Sequence, residues 1–313
     1  MRSEISRLLK QRGHEVTKEG SDQDIFVPIR QDLEPELVSS LKTVLYSLMR
    51  HDSIRRALRD WAYGRRISES NPNLKYIESY IQLCERFGGW NNDPEAIKLR
   101  YASTFEWYVS ELLSREFSAR ANGFGLRMKD ADPGDEFDCI ALLDKGLTFV
   151  ECKTGREGIY NQISKFIRRD AELGATYSFF VFDRDYTFAR AGNDIPQLSA
   201  DRAYALGVES IEKVTVGSHA FFQVQGLRVF GRGWRYFLVC SAFNGFEDRI
   251  RYMIRYVDQR QEPGPASSLF RVEAIPFTPE ASQGLSAQPN QIDSAAEQAA
   301  PATGTEPSVP EAS

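Results

Sequence analysis

Residues 138–153 read Asp-Cys-Ile-Ala-Leu-Leu-Asp-Lys-Gly-Leu-Thr-Phe-Val-Glu-Cys-Lys. The sequence on either side of the turn signal Asp144-Lys145-Gly146 is rich in Ile, Leu, Phe and Val, which predicts a β-hairpin. Each predicted strand also carries a carboxylate, Asp138 on the first and Glu151 on the second. Because a carboxylate on a buried strand is costly without a compensating partner, the pattern indicates a site as well as a core element.

The register of this hairpin decides whether its polar groups meet. With Lys145-Gly146 as a two-residue loop, counting back along the strands sets Asp138 opposite Lys153. Directly opposed residues share a face, and Glu151 lies on that face as well because strand side chains alternate. A three-residue loop would turn Asp138 to the other face unless a bulge compensated.

These residue types are suited to metal-assisted phosphodiester chemistry. Asp138 and Glu151 supply the hard oxygen ligands that Mg²⁺ and Mn²⁺ prefer. Such a metal lowers the pKa of a bound water and neutralises charge on a phosphate. Lys153, kept charged by the two carboxylates, would orient that water or stabilise the phosphorane. The alternative is an ordinary strand that ends in a surface salt bridge, since Glu-x-Lys is a common sequence.

The order helix, strand, hairpin, helix, strand around Asp138, Glu151 and Lys153 resembles the PD-(D/E)xK nuclease superfamily, which has the restriction-endonuclease-like fold. The resemblance covers about residues 100–185. It implies an α/β fold with a mixed central sheet flanked by helices, in which the core runs helix, three strands, helix, strand. A helical N-terminal region and a C-terminal β-hairpin with a helix would be added to that core.

The resemblance implies a third metal ligand on the helix before the hairpin. Phe105-Glu106-x-Tyr108-Val109 is similar to the Leu-Glu-x-Tyr-Val pattern in the nuclease domains of some CRISPR-associated effectors, which assigns Glu106 to the metal. Glu111 on the same helix is the competing carboxylate. For either residue the alternative is a solvated helical glutamate.

A second motif of the family is expected on the helix after the hairpin. Gln162-x-x-x-Phe166 resembles the Gln-x-x-x-Tyr motif of RecB-like nucleases, although phenylalanine lacks the tyrosine hydroxyl. The resemblance implies that Gln162 supports the substrate or Lys153. A polar residue on the solvent side of the helix is the alternative.

The implied activity is that of an endonuclease dependent on Mg²⁺ or Mn²⁺, with DNA rather than RNA as substrate because most of the superfamily acts on DNA. The resemblance also suggests a role in bacterial defence. A homodimer, and a partner protein bound through the N-terminal region, are both compatible with the sequence. The alternative function is a catalytically inactive module on the same fold that binds nucleic acid or a partner. Against that alternative, Glu106, Asp138, Glu151 and Lys153 are all present.

The charge of the chain is compatible with a nucleic-acid partner. Of the 313 residues, 39 are Lys or Arg and 44 are Asp or Glu. Five of the acidic residues lie in 276–313, where no Lys or Arg occurs, which leaves 39 acidic and 39 basic residues in 1–275. The tail is rich in Ala, Ser, Pro and Gln and is expected to be disordered.

The stretch 50–66 holds six arginines, two aspartates, Trp61 and Tyr63. On a helix, these arginines would follow a nucleic-acid backbone while the aromatic side chains stack on bases. The alternative is a solvated helix face with Trp61 in the core.

Nothing in the sequence indicates export or a membrane. The four cysteines at 84, 139, 152 and 240 have no zinc-site spacing and fit a reducing compartment. No apolar run approaches the roughly 18 residues of a membrane helix, and the N-terminus lacks a signal-peptide core. A soluble cytoplasmic protein without a membrane partner is therefore expected.

The expected organisation is an N-terminal, mostly helical region with a short β-hairpin (1–95), a nuclease-like α/β domain (96–275) and the tail (276–313). Periodicity and turn residues set the elements outside the core. They predict helices at 1–12, 35–62, 73–87 and 195–213, paired strands at 13–17 and 24–29, a hairpin of 221–229 with 234–240, and a last helix to about 259.

Overall fold

The computed structural model describes residues 3–27, 33–65, 67, 69–87, 93–129, 136–154, 159–183, 210–225, 236–261 and 269–275. The helices in these ranges are α1 (Glu4–Gln11), α2 (Pro35–Arg50), α3 (Asp52–Ala62), α4 (Leu74–Phe87), α5 (Pro94–Phe117), α6 (Ile159–Leu173) and α7 (Phe246–Gln261). The strands are β1 (Val16–Lys18), β2 (Ala121–Met128), β3 (Phe137–Leu143), β4 (Gly146–Lys153), β5 (Tyr177–Phe182), β6 (Ser210–Val216), β7 (His219–Gln225), β8 (Tyr236–Ser241) and β9 (Arg271–Ile275).

Nine strands form one mixed sheet in the order β1-β2-β3-β4-β5-β8-β7-β6-β9. The three central strands β4, β5 and β8 are parallel, and the other neighbouring pairs are antiparallel. The prediction of an α/β chain with a mixed sheet is confirmed. Since the carboxyl ends of parallel strands meet at one edge, that edge is where open α/β sheets bind ligands.

Side-chain alternation gives the sheet two apolar faces. Cys139, Val150 and Phe179 belong to the cluster that packs against α5, whereas Phe149 and Phe180 belong to the cluster that packs against α6. Phe166 of α6 is fully buried, and its ring centroid lies 5.0 Å from that of Phe149 and 5.5 Å from that of Phe180. Burial of such a side chain stabilises the fold by about 1.5–3 kcal/mol.

The N-terminal helices share a core with the sheet. Buried residues of α2, α3 and α4, among them Leu45, Leu58 and Ile77, lie in the same apolar cluster as those of α5 and α7. The boundary predicted between 95 and 96 falls in the first turn of α5. The predicted helices at 1–12 and 73–87 correspond to α1 and α4. The predicted helix at 35–62 is two helices, because His51 between them is extended (φ −84°, ψ 111°).

The predicted strand at 24–29 is wrong for the described residues 24–27, which form turns. The apolar run misled because Ile25, Phe26 and Val27 are buried without pairing to a strand. The N–H of Phe26 donates to Thr104 Oγ1 at 2.9 Å, and its carbonyl accepts from Tyr80 Oη at 2.5 Å, so helices satisfy this backbone. β1 pairs with β2 instead.

The C-terminal addition is more β-rich than predicted. Residues 210–213, the described part of the helix predicted at 195–213, begin β6, whose apolar side chains fit a strand paired with β7 and β9. The predicted hairpin corresponds to β7 and β8, with Gln225 paired to Tyr236. The last helix is confirmed as α7. The turn of that hairpin, residues 195–209 and the tail 276–313 lie outside the described residues.

Among the described helices, none combines the length and the hydropathy that crossing a lipid bilayer requires.

A buried ion pair joins α3 to the carboxyl ends of the parallel strands. Nε of Arg55, whose side chain is 0% exposed, donates to Oδ1 of Asp183 at 3.1 Å, just past β5. Arg55 also donates to the carbonyls of Met49 (2.5 Å) and of Ala242, which follows β8. Tyr101 of α5 donates to Oδ2 of Asp183 at 2.5 Å. These bonds join α3, α5 and the sheet.

The arginine-rich stretch is therefore not a simple solvated face. Arg55 and Arg59 are buried, and Arg59 donates to the carbonyl of Asp183. Trp61 is partly buried and packs against the core, as the solvated-face interpretation expected.

We expect Arg55→Met and Asp183→Asn each to lower the free energy of unfolding by about 3–5 kcal/mol, because each leaves a buried partner uncompensated. Arg65→Met is the matched control. Arg65 is 45% exposed in its ion pair with Asp60, and exposed pairs contribute less than about 1 kcal/mol. Urea unfolding measures all three variants. A loss in Arg55→Met no larger than in Arg65→Met would contradict the assignment.

Candidate functional site

The hairpin of β3 and β4 turns through Asp144-Lys145, since Leu143 pairs with Gly146. The predicted Lys145-Gly146 loop is therefore wrong. Gly146 belongs to β4, where it passes close to Thr176, the residue before β5. A Cβ at position 146 would come 2.0 Å from Thr176 Oγ1, so this position requires glycine. The register is displaced by two residues from the predicted one. A displacement of two keeps every side chain on its face.

One step beyond the last recorded pair, Cys139 with Val150, this register sets Asp138 opposite Glu151. Both side chains are buried, Asp138 at 7% exposure and Glu151 at 0%. Nζ of Lys153 lies 2.6 Å from Oε1 of Glu151 and 3.5 Å from Oδ2 of Asp138. The structure thus brings together the three residues that the sequence singled out on this hairpin.

Backbone and helix contacts fix the two carboxylates. Oδ2 of Asp138 accepts the N–H of Cys152 at 2.8 Å, which ties the first strand to the second beside the site. Oε2 of Glu151 accepts from Nη1 of Arg169 on α6 at 3.0 Å. Arg169 follows the buried Phe166 by three residues, so helical spacing places it on the same face of α6. That spacing is the signal by which the sequence could have assigned Arg169 to the face of α6 that packs against the sheet.

The charges of this cluster shift one another's protonation. Burial and then repulsion from Asp138 raise the pKa of Glu151 to about 7, although Lys153 and Arg169 act to lower it. Burial acts to lower the pKa of Lys153, but the attraction of Asp138 and Glu151 outweighs it and raises that pKa above its usual range. Lys153 is therefore an ammonium at neutral pH.

α5 brings Glu106 to the same cluster. The helix begins at Pro94, where the carboxylate of Asp93 accepts the N–H of Ala96 at 3.0 Å. Burial, followed by repulsion from Asp138 and Glu136, raises the pKa of Glu106 well above its usual range.

Glu106 is also half-buried on α5, where attraction to Lys153 offsets only part of the effect of burial and repulsion. Within the described ranges, its carboxylate takes part in no hydrogen bond or ion pair. The competing Glu111 accepts from Nε of Arg115 at 2.8 Å, one turn along the same helix. The structure thus places Glu106, rather than Glu111, among the strand carboxylates.

Two further residues near the cluster were not predicted as site residues. Glu136, just before β3, is half-buried and accepts from Arg127 at 2.9 Å and 3.1 Å. Asp183, just past β5, is buried against Arg55. The pattern Glu136-x-Asp138 and an acid directly after an apolar strand were the available signals. Gln162 lies on α6, but its side chain is outside the described part of the structure.

The donor set fits a hard divalent cation in its chemistry, because Glu106, Asp138 and Glu151 offer carboxylate oxygens and Glu106 lacks a partner among the described residues. The arrangement is not a preformed cage. Over the described residues, no three His, Cys, Asp or Glu side chains are grouped so that they could hold a metal ion. The ammonium of Lys153 lies between two of the carboxylates.

No protein-family model matches the chain. Galactitol 1-phosphate 5-dehydrogenase of Escherichia coli (strain K12) is 34% identical over 123 residues, which make up 38% of this chain and 31% of that enzyme. The same enzyme of Escherichia coli O157:H7 matches to the same extent. The match therefore spans less than a third of the curated relatives. Among solved structures, protein VC1899 from Vibrio cholerae aligns with a TM-score of 0.41 and 13% identity, over 81% of this chain and 61% of that chain.

The raised pKa of Glu151 predicts how stability depends on pH. Between the ordinary pKa of 4.5 and about 7, the folded protein holds a proton on Glu151 that the unfolded chain releases. Stability from this group is therefore full below pH 4.5 and is lost as the pH rises through about 7. Glu151→Gln should flatten the fall in the free energy of unfolding over this window. Urea unfolding at a series of pH values tests it.

Whereas Glu151→Gln flattens the fall in the free energy of unfolding with pH, Arg169→Met should enlarge it. It removes a cation that lowers the pKa of Glu151, so the fall with pH should extend to higher pH than in the wild type. Identical pH profiles for the wild type and both variants would contradict the assignment of this carboxyl.

Proposed function

We propose that this protein is a nuclease dependent on Mg²⁺ or Mn²⁺, of the PD-(D/E)xK type with a restriction-endonuclease-like core, which hydrolyses phosphodiester bonds in DNA. The observation that carries the proposal is the convergence of Asp138, Glu151 and Lys153 on one hairpin. The order α5, β2, β3, β4, α6, β5 supports it, because this is the order of elements on which the resemblance rests.

In the proposed reaction Glu106, Asp138 and Glu151 would hold the metal ion. When bound, the ion would polarise the phosphate and activate a water. Lys153 carries its positive charge within 3.5 Å of both strand carboxylates, so it can donate to the attacking water or to the charge that develops on the phosphate. Gln162 is assigned to the support of the substrate or of Lys153.

The biological part of the proposal is a role in bacterial defence, which rests on the resemblance alone. The match to the dehydrogenase does not carry that enzyme's activity to this chain, because it covers less than a third of that enzyme. The sequence also contains no Gly-x-Gly-x-x-Gly dinucleotide fingerprint.

We expect purified protein with Mn²⁺ to nick or cut supercoiled plasmid DNA. Asp138→Ala and Lys153→Ala should each reduce the rate below detection, because they remove a metal ligand and the charged donor, respectively. Gel analysis of nicked and linear plasmid gives the rate, and circular dichroism establishes that both variants are folded. Equal cutting by the wild type and both variants would indicate a contaminating nuclease and end the proposal.

The choice between the two helix carboxylates is a separate test. Glu106→Gln should lower the cleavage rate at least about hundredfold, as the loss of an essential electrostatic group does. Glu111→Gln should stay within about twofold of the wild type, since Glu111 contacts Arg115. The same plasmid assay, run over a range of Mn²⁺ concentrations, compares the two. The reverse order of effects would assign the metal ligand to Glu111.

One observation favours a second function, a non-catalytic module that binds nucleic acid or a partner on the same fold. Lys153 and Arg169 already neutralise Glu151, which would suffice for a purely structural cluster. Titration calorimetry separates the two functions. A nuclease should bind Mn²⁺ and lose that binding in Asp138→Ala, whereas a module without chemistry should bind DNA with no heat from Mn²⁺.

A further inference from the structure

The strand end that carries Lys153 is held from outside the sheet by the N-terminal helices. The hydroxyl of Tyr63, directly after α3, lies 2.8 Å from Oγ1 of Thr154, the residue that follows Lys153. This contact was not expected from the sequence, which offered Tyr63 only as a base-stacking side chain.

The ring of Tyr63 is itself held on two sides. It meets the ring of Tyr101 edge-on, with 6.3 Å between the centroids. Nζ of Lys98 on α5 lies 5.8 Å from the centroid of Tyr63. Both contacts come from α5, which also carries Glu106, so this helix orients the hydroxyl of Tyr63 toward Thr154.

The backbone of Lys153 is held through the buried ion pair. The N–H of Asp183 donates to the carbonyl of Lys153 at 2.8 Å. The carboxylate of Asp183 is fixed by Arg55 and by Tyr101, the residue whose ring contacts Tyr63. A side-chain contact from Tyr63, directly after α3, and a backbone contact from Asp183, directly after β5, therefore converge on residues 153 and 154.

We infer that Tyr63 and Thr154 are positioning residues of the proposed nuclease site, so that the N-terminal helices are part of its working structure. The inference rests on the proposed function. Among the contacts of the described residues, the hydroxyls of Tyr63 and Thr154 contact each other and none of the side chains of Glu106, Asp138, Glu151 and Lys153. Their bond holds the end of β4, from which the ammonium of Lys153 projects.

The expected effect is on the chemical step. Lys153 has a long side chain, so its ammonium is placed only as well as the backbone that carries it. A displacement of about 1 Å in a reacting group costs up to roughly a hundredfold in rate, and the loss of one neutral hydrogen bond to the strand end should cost about tenfold. Contacts with the DNA would be unchanged.

The test uses the full chain, Mn²⁺ and plasmid DNA, with kcat and KM measured separately. Tyr63→Phe keeps the ring and removes the hydroxyl, and Thr154→Val removes the hydroxyl at similar shape. Each should lower kcat about tenfold with KM unchanged, and the double variant should be no slower than either single variant, because the two groups act as one unit. Thr154→Ser, which keeps the hydroxyl, should stay within about twofold of the wild type.

Tyr76→Phe is the matched control, since Tyr76 is 49% exposed on α4, and it should behave as the wild type. An inactive wild type would overturn the proposed function and this inference with it. An active wild type with an equally active Tyr63→Phe would overturn the inference alone, as would additive effects or a raised KM with kcat retained. If Tyr63→Phe is unstable, the comparison of Thr154→Val with Thr154→Ser decides, and equal rates for these two would overturn it.

Discussion

Two carboxyl groups are buried at the carboxyl ends of neighbouring parallel strands, that of Glu151 on β4 and that of Asp183 just past β5. Removing a carboxylate from water costs several kcal/mol even after relaxation, so each one requires a cation within hydrogen-bond distance. Lys153 and Arg169 meet Glu151, and Arg55 meets Asp183. The positions of two helices follow from this requirement. α6 has to bring Arg169 against one face of β4, and α3 has to cross the edge of the sheet to deliver Arg55.

The two carboxylates differ in what surrounds them. The carboxylate of Asp183 accepts hydrogen bonds from Arg55 and Tyr101, which are both buried. Through these bonds it joins the N-terminal helices to the sheet. Glu151 shares Lys153 with Asp138 and lies near Glu106, a carboxylate without a hydrogen-bond or ion-pair partner among the described residues. Burial, followed by this concentration of like charge, raises the pKa of Glu106 and of Glu151 and adds nothing to stability. Perturbed carboxylates of this kind cluster at functional sites, and this is the physical basis for proposing catalysis at the end of β4.

Particular residues show how far the local sequence could lead. The hairpin around Asp144 and the shared face of Asp138 and Glu151 were predictable, because the turn residues and the alternation of apolar side chains are local signals. The loop lies one residue earlier than predicted, which shifts the strand register by two, since glycine at position 146 is required by its close approach to Thr176 and not by the turn. The buried run Ile25-Phe26-Val27 was mistaken for a strand because its backbone partners, Thr104 and Tyr80, are distant in sequence.

The sequence by itself determined the α/β class, the helix that carries Glu106, and the pairing of two acids with Lys153, because periodicity and residue spacing act over a few residues. Only the tertiary structure decided that Arg55 and Arg59 turn inward rather than toward solvent, that Arg169 meets Glu151, and that Tyr63 meets Thr154. Each of these contacts joins elements far apart in the chain. The desolvation cost that selects them exists only once those elements have packed together.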